Sequence, residues 1–300
     1  MKKILVIGSA NADMVVKSPK MPALGETVIG SDSFVGAGGK GLNQAVAVKK
    51  LGGDVRFVGS LGKDANGAML QEKLDEYGIP ATCLECEDRS TGCAMIVVVG
   101  GDNFIVVDEG ANARLTPDVI DSVAKYIDDV DIVLIQYEIP IESIVRIAEL
   151  TAKSRALLAV NPAPFKELPK EFYKNVDILV PNEHEANGLT GIYPSDEQSS
   201  RAALEALLAL GVKTAIITLG ERGCVYNNDG DEVVFCPAVK TVAVDTTSAG
   251  DSFIGALCVR LSAKDSLGDA IKYATRVSSI TVSRAGASVS IPYAHEITTE

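Results

Sequence analysis

The sequence predicts an α/β fold: a mainly parallel central sheet flanked by helices, with an extra group of short strands. Three observations predict it. Short continuous apolar runs, beginning with residues 4–7 and recurring as far as 215–218, have the character of strands buried on both faces of a parallel sheet. Helical patterns alternate with these runs along the chain. No internal repeat, low-complexity stretch or linker interrupts the alternation, so residues 1–300 are expected to form a single domain.

Composition narrows the class. With 300 residues and 47% hydrophobic content the chain can bury a sizeable core. Its 28 basic and 40 acidic residues give a net charge of −12, which argues against nucleic-acid or anionic-membrane partners. Of the six cysteines only Cys83 and Cys86 have Cys-x-x-Cys spacing, with no second pair to complete a zinc site. Free thiols in a reducing cytoplasm are expected. Met1-Lys2-Lys3 before residues 4–7 looks faintly like a signal peptide, but the apolar part is too short and Asn11 and Asp13 follow at once. No apolar run approaches the ~20 residues of a membrane span.

In chain order, residues 4–7 end at Gly8, and ligands of α/β proteins usually gather beyond the C-terminal ends of such strands. Asn11-Ala12-Asp13 stands there, suited either to gripping vicinal hydroxyls or to forming a turn. Val15-Val16 and Thr27-Val28-Ile29 flank a turn-rich segment and read as short strands. Gly36 to Gly41 matches Gly-x-Gly-x-x-Gly but does not follow the first strand, as a dinucleotide fingerprint should. It also lacks the Ser or Thr after Lys40 that a P-loop requires. Residues 43–48 read as a helix ended by Gly52-Gly53. A strand over 55–62 and an amphipathic helix over 64–77 follow. Residues 94–99 and 104–107, around Gly100-Gly101-Asp102-Asn103, form an expected hairpin.

The next buried strand, 131–136, places Glu138 just past its end, and 157–160 leads into the loop Asn161-Pro162-Ala163-Pro164. Residues 177–180 lead to Asn182 and Glu185, which lie on one side of a helix start. They could orient waters on Mg²⁺ or simply cap the helix. His184 between them reads as a surface residue. Strand 215–218 precedes the tight turn from Leu219 to Gly223. The stretch from Val244 to Phe253 reads as a loop feeding a buried helix, where the N–H groups of Ala249, Gly250 and Asp251 can point at an anion. Asp251 adds a carboxylate able to accept a proton from an attacking hydroxyl. A long helix over 269–283 precedes a glycine-containing loop, 284–290, with carbonyls for a hard cation.

Asp245-Thr246-Thr247-Ser248-Ala249-Gly250-Asp251 resembles the C-terminal motif of the ribokinase-like (PfkB) family of carbohydrate kinases, Asp-Thr-Thr-Gly-Ala-Gly-Asp. Ser248 replaces the usual Gly at a position that is not the catalytic one. The run from Gly38 to Ala45 resembles the same family's N-terminal motif, Gly-Gly-Lys-Gly-x-Asn-x-Ala, and Asn182 with Glu185 matches its Asn-x-x-Glu. The likeness extends from the first strand to Ser290.

The resemblance implies a ribokinase-like three-layer fold with a small β-sheet lid built from segments near 12–36 and 91–110, and a homodimer joined through that lid. It implies ATP-dependent phosphorylation of the 5-hydroxyl of D-ribose, giving D-ribose 5-phosphate and ADP. Deoxyribose, fructose and adenosine are alternative acceptors within the family, and a non-catalytic sugar-binding protein is a further alternative. Asn11, Asp13, Gly39, Lys40, Gly41, Asn43 and Glu138 would hold the sugar, and Asp251 would be the base beside the N–H groups of Ala249 and Gly250. The ATP–Mg²⁺ site would use Asn182, Glu185, Thr218, Gly220, Arg222, Gly223, Gly250 and Thr275. A monovalent cation, K⁺, would lie among Asp245, Thr247, Thr281, Arg284, Gly286 and Ser290.

Overall fold

The computed structural model describes residues 3–100, 102–228 and 232–298; Met1, Lys2 and the expected turn residue Gly101 lie outside them. Lys3–Ile7 (β1) enters the middle of the main sheet. Its side chains alternate, Ile4 and Val6 packing into one core and Leu5 and Ile7 into the other. The chain leaves for Asn11–Lys17 (β2) and Ser31–Gly38 (β3), then returns through helix Lys40–Lys50 (α1) to Asp54–Gly62 (β4). Helix Ala65–Glu76 (α2) and strand Ala81–Cys86 (β5) follow, before Gly92–Val99 (β6) and Asp102–Asp108 (β7).

Helices Pro117–Val123 (α3) and Lys125–Asp128 (α4) lead to Ile132–Gln136 (β8), Ile141–Thr151 (α5) and Leu157–Asn161 (β9). Next come Lys170–Tyr173 (α6), Ile178–Leu179 (β10), Glu183–Thr190 (α7), Glu197–Ala209 (α8) and Thr214–Thr218 (β11). The hairpin Cys224–Asn227 (β12) and Val233–Cys236 (β13) precedes two long helices, Ala249–Ser262 (α9) and Leu267–Val282 (α10).

The nine-stranded sheet has the order β13-β12-β11-β10-β9-β8-β1-β4-β5, parallel from β11 to β5 and antiparallel only at the β12–β13 edge. One core joins Ile4 and Val6 to Leu42 of α1, Leu70 of α2, Leu257 of α9 and Ile271 of α10. The opposite core joins Leu5 and Ile7 to Ile120, Ile127, Ile144, Phe172, Ala186 and Leu204, one from each of α3 to α8. This is the three-layer arrangement expected, and each such buried Leu or Ile contributes about 1.5–3 kcal/mol.

The second sheet has the order β3-β2-β6-β7, and Asn11, at the start of β2, pairs with Gly38 on one side and Gly92 on the other. The end of β3 and the starts of β2 and β6 therefore converge just beyond the C-terminal end of β1. Thr27 to Ile29, expected as a strand, is irregular and largely exposed; the partner of β2 is Ser31–Gly38. Gly25 and Gly30 bracket the misread residues, and β2 meets its partner only beyond Gly30. The helix after the glycine run begins earlier than expected, at Lys40. Gly39 caps it at φ 88°, and a Cβ on Gly39 would meet Asn11 N at 2.8 Å, so glycine is needed both for conformation and for space.

Candidate active site

Asp251 lies in the first turn of α9 and is buried, with 6% exposure. Its Oδ1 accepts from Gln44 Nε2 at 2.9 Å and its Oδ2 from Asn43 Nδ2 at 3.3 Å. Both donors come from α1, which lies alongside α9. Beside Asp251 the surface opens: a Cβ placed on Gly250 would have no atom within 4 Å. An exposed helix N-terminus next to a buried carboxylate suits an anion approaching a hydroxyl nucleophile.

One expected donor is engaged elsewhere. Ala249 N–H donates to the Thr246 carbonyl at 3.2 Å, closing a turn in which Ser248 adopts φ 60° and ψ 12°. That left-handed conformation explains why glycine is usual at this position of the motif. The expectation of a free N–H on Ala249 is therefore corrected: in this conformation the turn holds it, and Gly250 faces the open space.

Further carboxylates face Asp251. Burial, reinforced by Glu138 and Asp251, pushes the Asp13 carboxyl up to about 7. The Asp13 carboxyl stands against Gly38, where a Cβ would approach to 2.1 Å. Glu138 is fixed by the hydroxyl of Ser9 and by Lys40 N–H, the latter at 3.0 Å. Burial disfavours the Lys40 ammonium, but Asp251, Glu138 and Glu185 outweigh it and hold its pKa above the ordinary value. Asn11 is buried, and its Oδ1 accepts from Asn112 Nδ2 at 2.7 Å, while Asn112 Oδ1 takes the Ala10 N–H at 3.0 Å. Asn11, Asp13, Gly39, Lys40, Gly41, Asn43, Glu138 and Asp251 are thus gathered at one end of the sheet.

Asn182 and Glu185 adopt the full capping box. Glu185 N–H donates to Asn182 Oδ1 at 2.9 Å, and Asn182 N–H and Nδ2 donate to Glu185 Oε2 and Oε1 at 2.8 and 2.9 Å. Burial raises the Glu185 pKa, opposed by the Asn182 N–H and Lys40 and assisted by Asp251, so this box borders the same cluster. His184 is exposed, as expected. Thr218 N–H donates to Pro181 O at 2.9 Å, and Gly220 and Gly223 take φ values of 55° and 94° in the turn that follows. The Arg222 guanidinium is bound to Glu183 at 2.7 Å and to the Pro194 carbonyl, which ties this turn to α7. Thr275 is buried in α10, its hydroxyl on Ile271 O at 2.9 Å.

The two loops expected around a cation meet directly. Asp245 Oδ1 accepts Thr247 N–H at 2.9 Å and Oδ2 accepts Gly286 N–H at 2.9 Å. Burial would raise the Asp245 pKa, but the bonds from Thr247 and Gly286 prevail and lower it. Side chains here are otherwise occupied: Arg284 pairs with Glu296 at 2.7 Å, the Thr281 hydroxyl donates to Val277 O at 3.0 Å, and the Ser290 hydroxyl to Ala287 O at 2.8 Å. Among the described residues no three His, Cys, Asp or Glu stand together to hold a metal. A cation in this place would therefore draw on main-chain carbonyls, which both loops can supply.

A model described as pfkB family carbohydrate kinase matches residues 1–294. The chain belongs to that family. A ribokinase from Staphylococcus aureus is 36% identical over 299 residues, covering 98% of each chain. A bifunctional ribokinase/ribose-5-phosphate isomerase A from Fructilactobacillus sanfranciscensis is 39% identical over 297 residues, 97% of this chain and 55% of that longer protein. The structure of Arabidopsis thaliana ribokinase complexed with ribose and ATP superposes with a TM-score of 0.93 at 31% identity, covering 99% of this chain and 97% of that one.

Within a carbohydrate kinase of this family, three buried side chains at the site went unassigned in the sequence. Gln44 and Gln136 are fully buried and Asn112 is 1% exposed, and all three hydrogen-bond to site residues or to one another. The available signal was a polar amide inside or at the end of an apolar run: Gln44 before Ala45-Val46-Ala47-Val48, and Gln136 closing β8.

Proposed function

We propose that this chain transfers the γ-phosphoryl group of ATP to the 5-hydroxyl of D-ribose, giving D-ribose 5-phosphate and ADP. The observation that carries the chemistry is the seat of Asp251, a buried carboxylate held by Gln44 and Asn43 beside the open N-terminus of α9. The choice of ribose rests on the full-length likeness to ribokinases, one of them solved with ribose and ATP.

Asn11, Asp13, Glu138 and Asn43 would orient the sugar so that its exocyclic hydroxyl meets Asp251, which takes the proton as the oxygen attacks phosphorus. Gly250 N–H and the helix dipole would bear the charge of the transferring group, and Ala249 N–H would join them once released from Thr246. Mg²⁺, when bound with ATP, neutralises phosphate charge; Asn182 and Glu185 would orient its waters. Their oxygens keep lone pairs for this beyond the capping bonds. K⁺ would be held by main-chain oxygens of the loops that Asp245 joins. Lys40, Gly39 and Gly41 would line the sugar site, and Thr218, Gly220, Arg222, Gly223 and Thr275 the nucleotide site.

The second sheet would act as a lid over the sugar. Phe104, Ile105 and Val106 are exposed on β7, and pairing of two such sheets in a homodimer would cover them. The six free thiols suit a reducing cytoplasm. The test is ADP formation from Mg-ATP with D-ribose, 2-deoxyribose, fructose and adenosine, each in potassium and in sodium. Ribose is expected to give the highest kcat/KM, rising in potassium. Preference for another acceptor would move the error to the pocket around Asn11, Asp13 and Glu138, and no turnover with any would overturn the proposal.

A further inference from the structure

Three side-chain amides beside Asp251, those of Asn161, Gln44 and Gln136, form a chain whose direction is fixed by the Val180 carbonyl at Asn161 and by the Asp251 carboxylate at Gln44. Asn161 Nδ2 donates to the Val180 carbonyl at 3.0 Å, which turns Asn161 Oδ1 toward Gln44. Gln44 Nε2 spends its two hydrogens on Asn161 Oδ1 at 3.2 Å and Asp251 Oδ1 at 2.9 Å. Its carbonyl accepts from Gln136 Nε2 at 2.6 Å. Gln44 and Gln136 are both 0% exposed, so no water competes for these groups. Reversing the Gln44 amide would set its oxygen against the Asp251 carboxylate and the Asn161 oxygen while facing the Gln136 donor with another donor. Only one orientation of the Gln44 amide satisfies its three partners, while Gln136 Oε1 has no hydrogen-bond partner among the described residues.

We propose that Gln44 is a positioning residue for proton acceptance by Asp251, its direction set by Asn161 and Asp251 and its carbonyl seated by Gln136. This rests on the reading of Asp251 as the base. Gln44 engages Oδ1 with the shorter bond and leaves Oδ2, held only by the longer contact from Asn43, as the oxygen that receives the substrate proton. Gly8 belongs to the same device, since a Cβ there would lie 1.9 Å from Gln136 Oε1.

The test compares wild type with Gln44→Met, Gln136→Met and Asp251→Asn, measuring kcat and KM for ribose, ribose binding by calorimetry and the melting temperature. For Gln44→Met, kcat is expected to fall about 10- to 100-fold. KM for ribose should stay within about threefold, a loss of kcat without a loss of sugar binding being the mark of a positioning role. Gln136→Met should change kcat in the same direction by less. Should Gln44→Met fail to fold, kcat and KM of Gln136→Met decide. A kcat like wild type in the folded variants, with Asp251→Asn inactive, would overturn this proposal alone. Sustained turnover in Asp251→Asn would instead overturn the base, and with it the reading beneath.

Discussion

The Lys50 ammonium donates to the Ile291 carbonyl at 2.8 Å, joining the last turn of the helix that carries Asn43 to the far end of the chain. It also reaches Ser288 O at 2.9 Å and Val289 O at 3.3 Å, and lies over the rings of Tyr77 and Tyr293. Lys50→Met keeps the stem and leaves these carbonyls without their cation. We expect a loss of about 2–4 kcal/mol, read by thermal and denaturant melts. An unchanged melting temperature would remove the clamp from the account.

Asp13 destabilises the fold as it ionises. Its carboxyl titrates near 3.8 when unperturbed and at about 7 in the folded chain, so between those values the folded state binds more protons than the unfolded one. Stability from this group therefore declines as pH rises through that window and levels off above it. Asp13→Asn should melt higher than wild type, by a margin that grows between the two values and then stays constant. Ribose affinity should fall about tenfold or more above about pH 7, where a charged acceptor is lost, and by less below it, where the carboxyl is already protonated. Equal melting temperatures at neutral pH would contradict the buried, repelled carboxylate.

Ser248 carries a left-handed backbone that glycine adopts without penalty, and its buried hydroxyl has no hydrogen-bond partner among the described residues. Ser248→Gly should stabilise by about 1 kcal/mol after the entropy cost of glycine, raising the melting temperature by about 2 °C. A lower melting temperature would mean that the hydroxyl is used.

The sheet was legible where strands are buried on both faces, because β1, β8, β9 and β11 then read as unbroken apolar runs. The motif residues were legible as well, since Asp251, Asn43 and Asn182 lie in short stretches of characteristic spacing. What escaped is long-range. Gln44 meets Asp251 and Gln136, and Asn112 meets Asn11, across separations of roughly a hundred residues or more that no local pattern encodes. The Thr246–Ala249 turn escaped for another reason: it depends on the backbone angle of Ser248, which side-chain identity disguises. Thr27 to Ile29 misled because a β-branched run forms a strand only where a partner edge is available.

Asp245 draws the loop before α9 onto the loop after α10 through Gly286. Replacing potassium by a non-binding cation at constant ionic strength should lower kcat several-fold, and Asp245→Ala should abolish that difference. A rate indifferent to the cation in wild type would eliminate the site.

Whether Asp251 takes the proton of the attacking hydroxyl is tested most directly by pairing turnover with binding in Asp251→Asn. The variant is expected to fold and to bind ribose within a few-fold of wild type by calorimetry, yet to form ADP at least about 100-fold more slowly. Ribose-dependent ADP formation near the wild-type rate would contradict it.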